Sequence, residues 1–276
     1  MEFSTLNPFW GPQTSYLNFC EEDYVITRYI AEFINTLSSL VYMIYGIYGL
    51  WKLHQKKQTG ARSIPYCGLI GVGLCSAGYH MTLKYHTQMS DELSMHLLTT
   101  PLLYRILSFQ TSAQYTRTVG IILSIMFTVV MVVHMVMDEF LLHAVTFGTA
   151  VYLIATRTLK IIPRQIRDPY TRKKVQHIAL FGCASFIFGY VVWLIDEWAC
   201  RALIGARETV GLPWAFYFEL HGWWHVFTAI GGYIAVAIID LLTSGKVKKD
   251  SVQQLAFPLP TISRLLSAAT GLEKRK

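Results

Sequence analysis

Seven stretches of apolar residues, at roughly 29–53, 64–85, 93–109, 119–137, 140–162, 175–203 and 215–242, follow one another along the chain with short polar gaps between them. Each is close to the ~20 residues that an α-helix needs to cross the hydrocarbon core of a bilayer. In lipid the backbone must satisfy its own hydrogen bonds, so a chain built of such runs has few choices besides a helical bundle. A hydrophobic share of 53% with only 15% charged residues over 276 positions agrees with that. The expected fold is all-α: a polytopic membrane protein, a bundle of seven transmembrane helices. Glycines inside the runs (Gly46, Gly71, Gly73, Gly78, Gly148, Gly182, Gly189, Gly231 and Gly232) are read as places where helices pack closely rather than as breaks.

The net charge of +7 would raise nucleic acid as a partner for a soluble chain, but the basic residues sit between the apolar runs, where they orient a membrane protein. Nucleic acid is therefore set aside, and no obligate protein partner is evident. Lys and Arg collect after the first, third, fifth and seventh runs, while only Arg28, Lys84, Arg201 and Arg207 fall on the alternate side. Cytoplasmic loops carry the excess of positive charge, so the N-terminus is expected in the lumen and the C-terminus in the cytosol. Three regions result: a lumenal segment at 1–28, the bundle at 29–243 and a cytosolic tail at 244–276 that ends in Lys274-Arg275-Lys276. The first residues carry Glu2, Glu21, Glu22 and Asp23 without a continuous apolar core, so the first membrane helix is expected to do the targeting. No internal repeat of the transporter kind is visible. Asp138-Glu139 and Asp196-Glu197 fall on the expected lumenal side, as do Cys20 and Cys200. That side is oxidising, so a bridge between these two cysteines is expected, whereas Cys67, Cys75 and Cys183 read as buried thiols.

Polar residues inside apolar runs are expensive and mark function. Ser76 and His80 are four apart, as are His221 and His225, so each pair projects from one helix face. The topology puts Ser76, His80, Asp91, His221 and His225 at one level, in the lumenal half of the bundle. An i,i+4 histidine pair with a third intramembrane histidine supplies the ligand set of a catalytic zinc, and a polar packing cluster or a proton relay would use the same residues. With zinc, Ser76 would donate a hydrogen bond to an oxyanion and Asp91 would move a proton. Asp91-Glu92 also read as the N-cap and first-turn acids of the third helix, and the two readings are compatible. His54, His86 and His177 lie near helix ends and read as interfacial. His96, His134 and His143 lean towards packing, as do Trp223 and Trp224 between the candidate ligands. The acidic cluster Asn18-Phe19-Cys20-Glu21-Glu22-Asp23, with Glu32, offers oxygen ligands of the sort calcium takes, yet lacks the EF-hand pattern and on the residues alone reads first as a solvated loop.

At Trp10-Gly11-Pro12, Cys20-Glu21-Glu22, Tyr29-Ile30-Ala31-Glu32-Phe33, His80-Met81-Thr82-Leu83-Lys84-Tyr85 with Asp91-Glu92-Leu93, and His221 through His225, the sequence resembles the alkaline ceramidase family. These are integral membrane amidases of the secretory pathway that include the fungal phytoceramidases, and the likeness covers most of the chain. The resemblance implies a seven-helix fold in the endoplasmic reticulum or Golgi membrane and hydrolysis of the N-acyl bond of ceramides, membrane lipids taken from the bilayer itself. It implies zinc on His80, His221 and His225, catalytic roles for Ser76 and Asp91, and calcium on Asn18, the Phe19 carbonyl, Glu21, Asp23 and Glu32. The family pattern has Asp where Asn18 stands and Asn where Asp23 stands; the exchange keeps three carboxylates. A seven-helix lipid hydrolase of the adiponectin-receptor type, whose topology is inverted, would use a similar histidine set. A non-enzymatic receptor or ion transporter would use it as a relay.

Overall fold

The computed structural model of the chain describes residues 7–57, 59–137 and 140–244, together with Thr261, Arg264, Leu265, Ala268 and Ala269. Asp138, Glu139 and the basic end of the tail lie outside the described residues. Within the described residues of 7–244, eight α-helices follow in order: α1 (Phe33–Gln55), α2 (Ile64–Thr82), α3 (Tyr85–Leu107), α4 (Ala113–Met137), α5 (Phe140–Gln165), α6 (Pro169–Trp198), the short α7 (Cys200–Val210) and α8 (Leu220–Thr243). There is no strand among the described residues beyond one isolated bridge, Thr27 to Ile30. Among the described residues five helices, α1, α4, α5, α6 and α8, are long and apolar enough to cross a membrane. The glycines, Tyr79 and His80 dilute the apolar character of α2, and α3 opens on Tyr-His-Thr-Gln and carries Asp91 and Glu92.

Three expected boundaries shift. The third helix starts at Tyr85, not near Asp91, because Leu83 closes α2 in the left-handed conformation (φ 50°) and Lys84 caps the next helix at once. The run 175–203 divides: α6 ends at Trp198 and α7 begins at Cys200. The run starting at 215 opens with a 3-10 turn, Trp214–Phe218, so α8 begins only at Leu220.

The apolar core lies mainly in the half of the bundle far from the histidines, where Tyr66 and Leu69 of α2, Leu102 and Ile106 of α3, Ile178 of α6 and Ile234, Ile238 and Ile239 of α8 are buried together. Small residues set the closest approaches. A Cβ on Gly49 would fall 2.1 Å from the Tyr66 ring, and one on Gly231 would fall 2.8 Å from the Gly182 carbonyl oxygen. Gly71, Gly78 and Gly148, by contrast, have nothing within 4 Å of that position, so the expectation of close packing fails for them. At the far end Asp240 of α8 is buried and accepts from Arg62 Nε at 2.7 Å and Arg105 Nη2 at 2.9 Å, tying the first loop and the end of α3 to α8.

The N-terminal segment is strapped across the other end. The last carbonyls of a helix have no partner within it. Here Ala31 N donates to Met81 O (3.1 Å), Glu32 N to His80 O (3.0 Å), and Thr14 N and Ser15 N to Leu83 O (3.1 and 3.2 Å). The strap thus satisfies the end of α2 and runs directly over His80.

Candidate active site

α2 places Ser76 and His80 one turn apart, and α8 does the same with His221 and His225. The three imidazoles form a triangle with centroid separations of 5.0 Å (His80–His221), 4.9 Å (His80–His225) and 4.7 Å (His221–His225). One ligand atom from each lies within 4.8 Å of the other two, and all three side chains are buried. His80 Nδ1 contacts Glu32 Oε2, and His225 Nδ1 lies 2.8 Å from Ser38 Oγ. Such partners on the outer nitrogen fix the tautomer and the ring plane of a metal-ligating histidine. His80 Nε2 and His221 Nδ1 are buried without a hydrogen-bond partner. An orphaned buried nitrogen costs about 1–3 kcal/mol, and a metal ion removes that cost, so the three imidazoles fit a divalent metal that takes nitrogen ligands.

The second layer comes from the strap and from α1 and α6. The Phe19 ring stacks on His221 at 3.6 Å between centroids, and Phe19 N donates to Glu32 Oε1 at 3.1 Å. Asp196 of α6 accepts from Cys20 N (3.1 Å) and His221 N (3.2 Å), holding the strap and the first turn of α8 with one carboxylate. Ser76 Oγ is 3.4 Å from His225 Nε2 and 2.9 Å from Ser39 Oγ. Asp91 lies two turns inside α3, not at its N-cap, and lines a cavity of about 620 Å³ together with Ser76, His221 and His225. Away from the histidines that cavity is walled by Phe147, Val151, Phe186 and Tyr190. A narrower apolar pocket shares part of this wall and reaches to Leu102, Ile154 and Ile238. The arrangement is a polar head at the end of a greasy slot, the form that suits an amphiphile with alkyl chains.

Of the acidic set, Asn18 Nδ2 donates to Asp23 Oδ2 at 3.2 Å, while Asp23 Oδ1 is buried and unpartnered. Glu21 turns both oxygens to the start of α1, accepting from Ile34 N (2.6 Å) and Asn35 N (2.8 Å). It caps the helix that its formal N-cap, Glu32, does not cap with its side chain. Burial foremost, and then the nearby Glu32, push the Glu21 carboxyl up to about 8; burial also raises Asp23, against a hydrogen bond from Asn18. Carboxyls crowded out of water in this way are what a hard cation relieves, and the orphaned Asp23 oxygen is the atom it would take up.

Cys20 and Cys200 form a disulfide that joins the strap to the start of α7. Beside it Arg207, read in the sequence only as a lumenal charge, is buried and donates to Glu219 Oε2 (2.6 Å) and the Cys20 carbonyl (2.7 Å). Ser38, Ser39 and Asp196, which no sequence spacing singles out, also neighbour the triad. Their one signal was polarity inside or beside an apolar run.

The Ceramidase family model matches residues 11–264. The chain is 29% identical over 254 residues to the alkaline ceramidase YPC1 of Saccharomyces cerevisiae, covering 87% of this chain and 80% of that protein. It is likewise 29% identical over 229 residues to alkaline ceramidase 3 of Mus musculus (83% and 84%), and 27% identical over 234 residues to the alkaline ceramidase of Arabidopsis thaliana (83% and 84%). With the histidine triangle at the head of an apolar slot, and with a family match running over nearly the whole sequence, this chain belongs to the ceramidase family.

Proposed function

We propose that the chain is an alkaline ceramidase that hydrolyses the N-acyl bond of ceramides, giving a sphingoid base and a free fatty acid, with zinc held by His80, His221 and His225. The observation that carries this reading is the buried His triangle with orphaned ring nitrogens opening, beside Ser76, on the apolar cavity. Zinc, when bound, would polarise the amide carbonyl and bring the pKa of a water near 7.

The chain's own residues do the rest. The slot takes the alkyl chains and keeps bulk water from the amide. Ser76 Oγ donates a hydrogen bond to the oxygen that gains charge as water adds to the carbonyl carbon. Asp91 accepts a proton from that water and returns it to the leaving nitrogen, so the new C–O bond and the broken C–N bond balance with no further reactant. Glu32 holds His80 by its Nδ1 and Ser38 holds His225 by its Nδ1, which keeps the second nitrogens turned inward.

The same reading puts seven helices across an endoplasmic reticulum or Golgi membrane, with α2 and α3 spanning as the polar-lined pair, the strap in the lumen and the tail in the cytosol. A disulfide on the strap side supports that orientation, because the lumen is oxidising. Calcium would sit on Asn18, the Phe19 carbonyl, Glu21, Asp23 and Glu32 as a structural ion. The family match gives no support to the adiponectin-receptor or relay readings.

Mass spectrometry of purified protein incubated with ceramide, dihydroceramide and phytoceramide is the test. Release of fatty acid and sphingoid base is expected, and zinc chelation or His80→Ala should abolish it. Full turnover in zinc-free protein would sink the mechanism.

A further inference from the structure

A second cluster lies outside the triad. Glu92 of α3, His134 of α4 and His143 of α5 each offer a ligand atom within 4.8 Å of the other two, and all three are buried. None of the three shares a helix with another, so no spacing rule points to them. α4 buries only Val119, Met131 and His134 of its 25 residues, and its Ile121, Ile122, Ile125 and Val129 are exposed. A histidine on an otherwise lipid-facing helix is costly unless something engages it.

We propose that Glu92, His134 and His143 bind a second divalent metal ion of the zinc class in the wall of the lipid cavity, clipping the α4–α5 pair to α3. Two imidazoles and a carboxylate form a known zinc set, and they suit borderline divalent ions generally. The ligands are also oriented from behind. Gln88 Nε2 donates to Glu92 Oε1 at 2.9 Å, and Tyr16 Oη lies 3.3 Å from both Glu92 oxygens. His96 Nε2 is 3.2 Å from His143 Nδ1; when Nδ1 donates in that contact, the lone pair of His143 is on Nε2. His134 Nε2 contacts Glu92 Oε2, and the His134 and His143 rings stack at 5.3 Å. Glu92 and His143 line the same cavity as Asp91 and His221, so the ion would share the wall of the slot but not the ligands of the triad.

Metal content of the whole protein decides this. Full-length protein is stripped of metal, reloaded with Zn2+, desalted and measured by mass spectrometry of the elements. Two equivalents per chain are expected in the wild type and one in His143→Gln, with the triad's equivalent retained. His80→Ala should lose the other equivalent and keep this one, so the two sites are read separately. One equivalent in the wild type, unchanged in His143→Gln, overturns the proposal. Should His143→Gln fail to purify as a monodisperse protein, Glu92→Gln is read in the same way: it keeps the side-chain volume and removes the charged ligand. Co2+ loading gives an independent readout, since the second site should add visible d–d absorption that Glu92→Gln abolishes.

Discussion

The two buried histidine clusters sit at the same end of the bundle, yet they are held by different means. The triad is seated on α2 and α8; the latter buries 15 of its 24 residues, and the strap closes over it through Glu32 and Phe19, with Asp196 of α6 holding both the strap and α8. The second cluster hangs between α3 and two helices that turn most of their surface outward. Packing fixes the first geometry before any ion arrives. In the second, polar contacts and the proposed ion would supply what apolar burial does not. Chemistry that tolerates little displacement is expected on the rigid side, because an ångström of misplacement can cost about 100-fold in rate.

The largest effect that tests this division is on turnover. Ser76→Ala and Asp91→Asn should each lower kcat by on the order of 10²- to 10⁴-fold while leaving the triad's zinc in place, as expected for a lost oxyanion donor and a lost proton carrier. Steady-state kinetics beside metal analysis of the same preparations check it. If either variant loses its metal together with its activity, packing does not set the triad and the contrast with the second cluster fails.

A smaller effect is expected behind the ligands. Glu32→Gln removes the charge facing His80 Nδ1 but keeps a hydrogen-bonding group there, and changes of this kind typically cost about 10- to 100-fold in metal affinity or activity. Competition of the purified protein with a zinc chelator of known affinity measures the first, and kcat the second. An unchanged affinity and rate would mean that α2 alone orients His80.

How much of this was legible in the sequence follows from the same contrast. His221 and His225 share one helix face, and His80 stands one turn from Ser76, so a spacing rule finds them and the apolar runs place them at one level. Glu92, His134 and His143 come one from each of three helices, and only the packing of α3, α4 and α5 brings them together. The start of α3 was missed because Tyr85-His86-Thr87-Gln88 has no apolar period and resembles a loop. In the fold Gln88 turns inward to accept from Tyr16 N (3.1 Å) and to donate to Glu92. The break at Ala199 carries no glycine or proline; it coincides with the disulfide and the buried Arg207–Glu219 pair, both made by residues distant in sequence or invisible to hydropathy. Arg207 reads in the sequence only as a lumenal charge, because the count of basic residues by loop says nothing of depth. Glu32 stands in the sequence only as an oxygen of the acidic cluster; in the fold Glu21 caps α1 and leaves Glu32 for His80.

The smallest effect expected concerns the strap, and it separates the two sides of the molecule most sharply. Cys20–Cys200 and a calcium ion would both restrain the same segment, one by a covalent tie to α7 and the other by drawing Asn18, Asp23 and the neighbouring oxygens together. Asp23 Oδ1 has no partner and Glu21 is crowded by Glu32, so removing calcium should leave these carboxyls buried without the cation that draws them together while the α2–α8 packing stays intact. A calcium chelator that spares zinc should therefore lower the melting temperature by a few degrees, which is ~1 kcal/mol for a domain of this size, and reduce turnover less than Glu32→Gln does. Amide hydrogen exchange locates the change. Faster exchange is expected over residues 14–35 and at the start of α8, with α4 and α5 as before. Exchange that rises equally in α4 and α5 would show that the strap holds the whole bundle rather than the triad's side of it, and no change anywhere would reduce the acidic segment to a solvated loop.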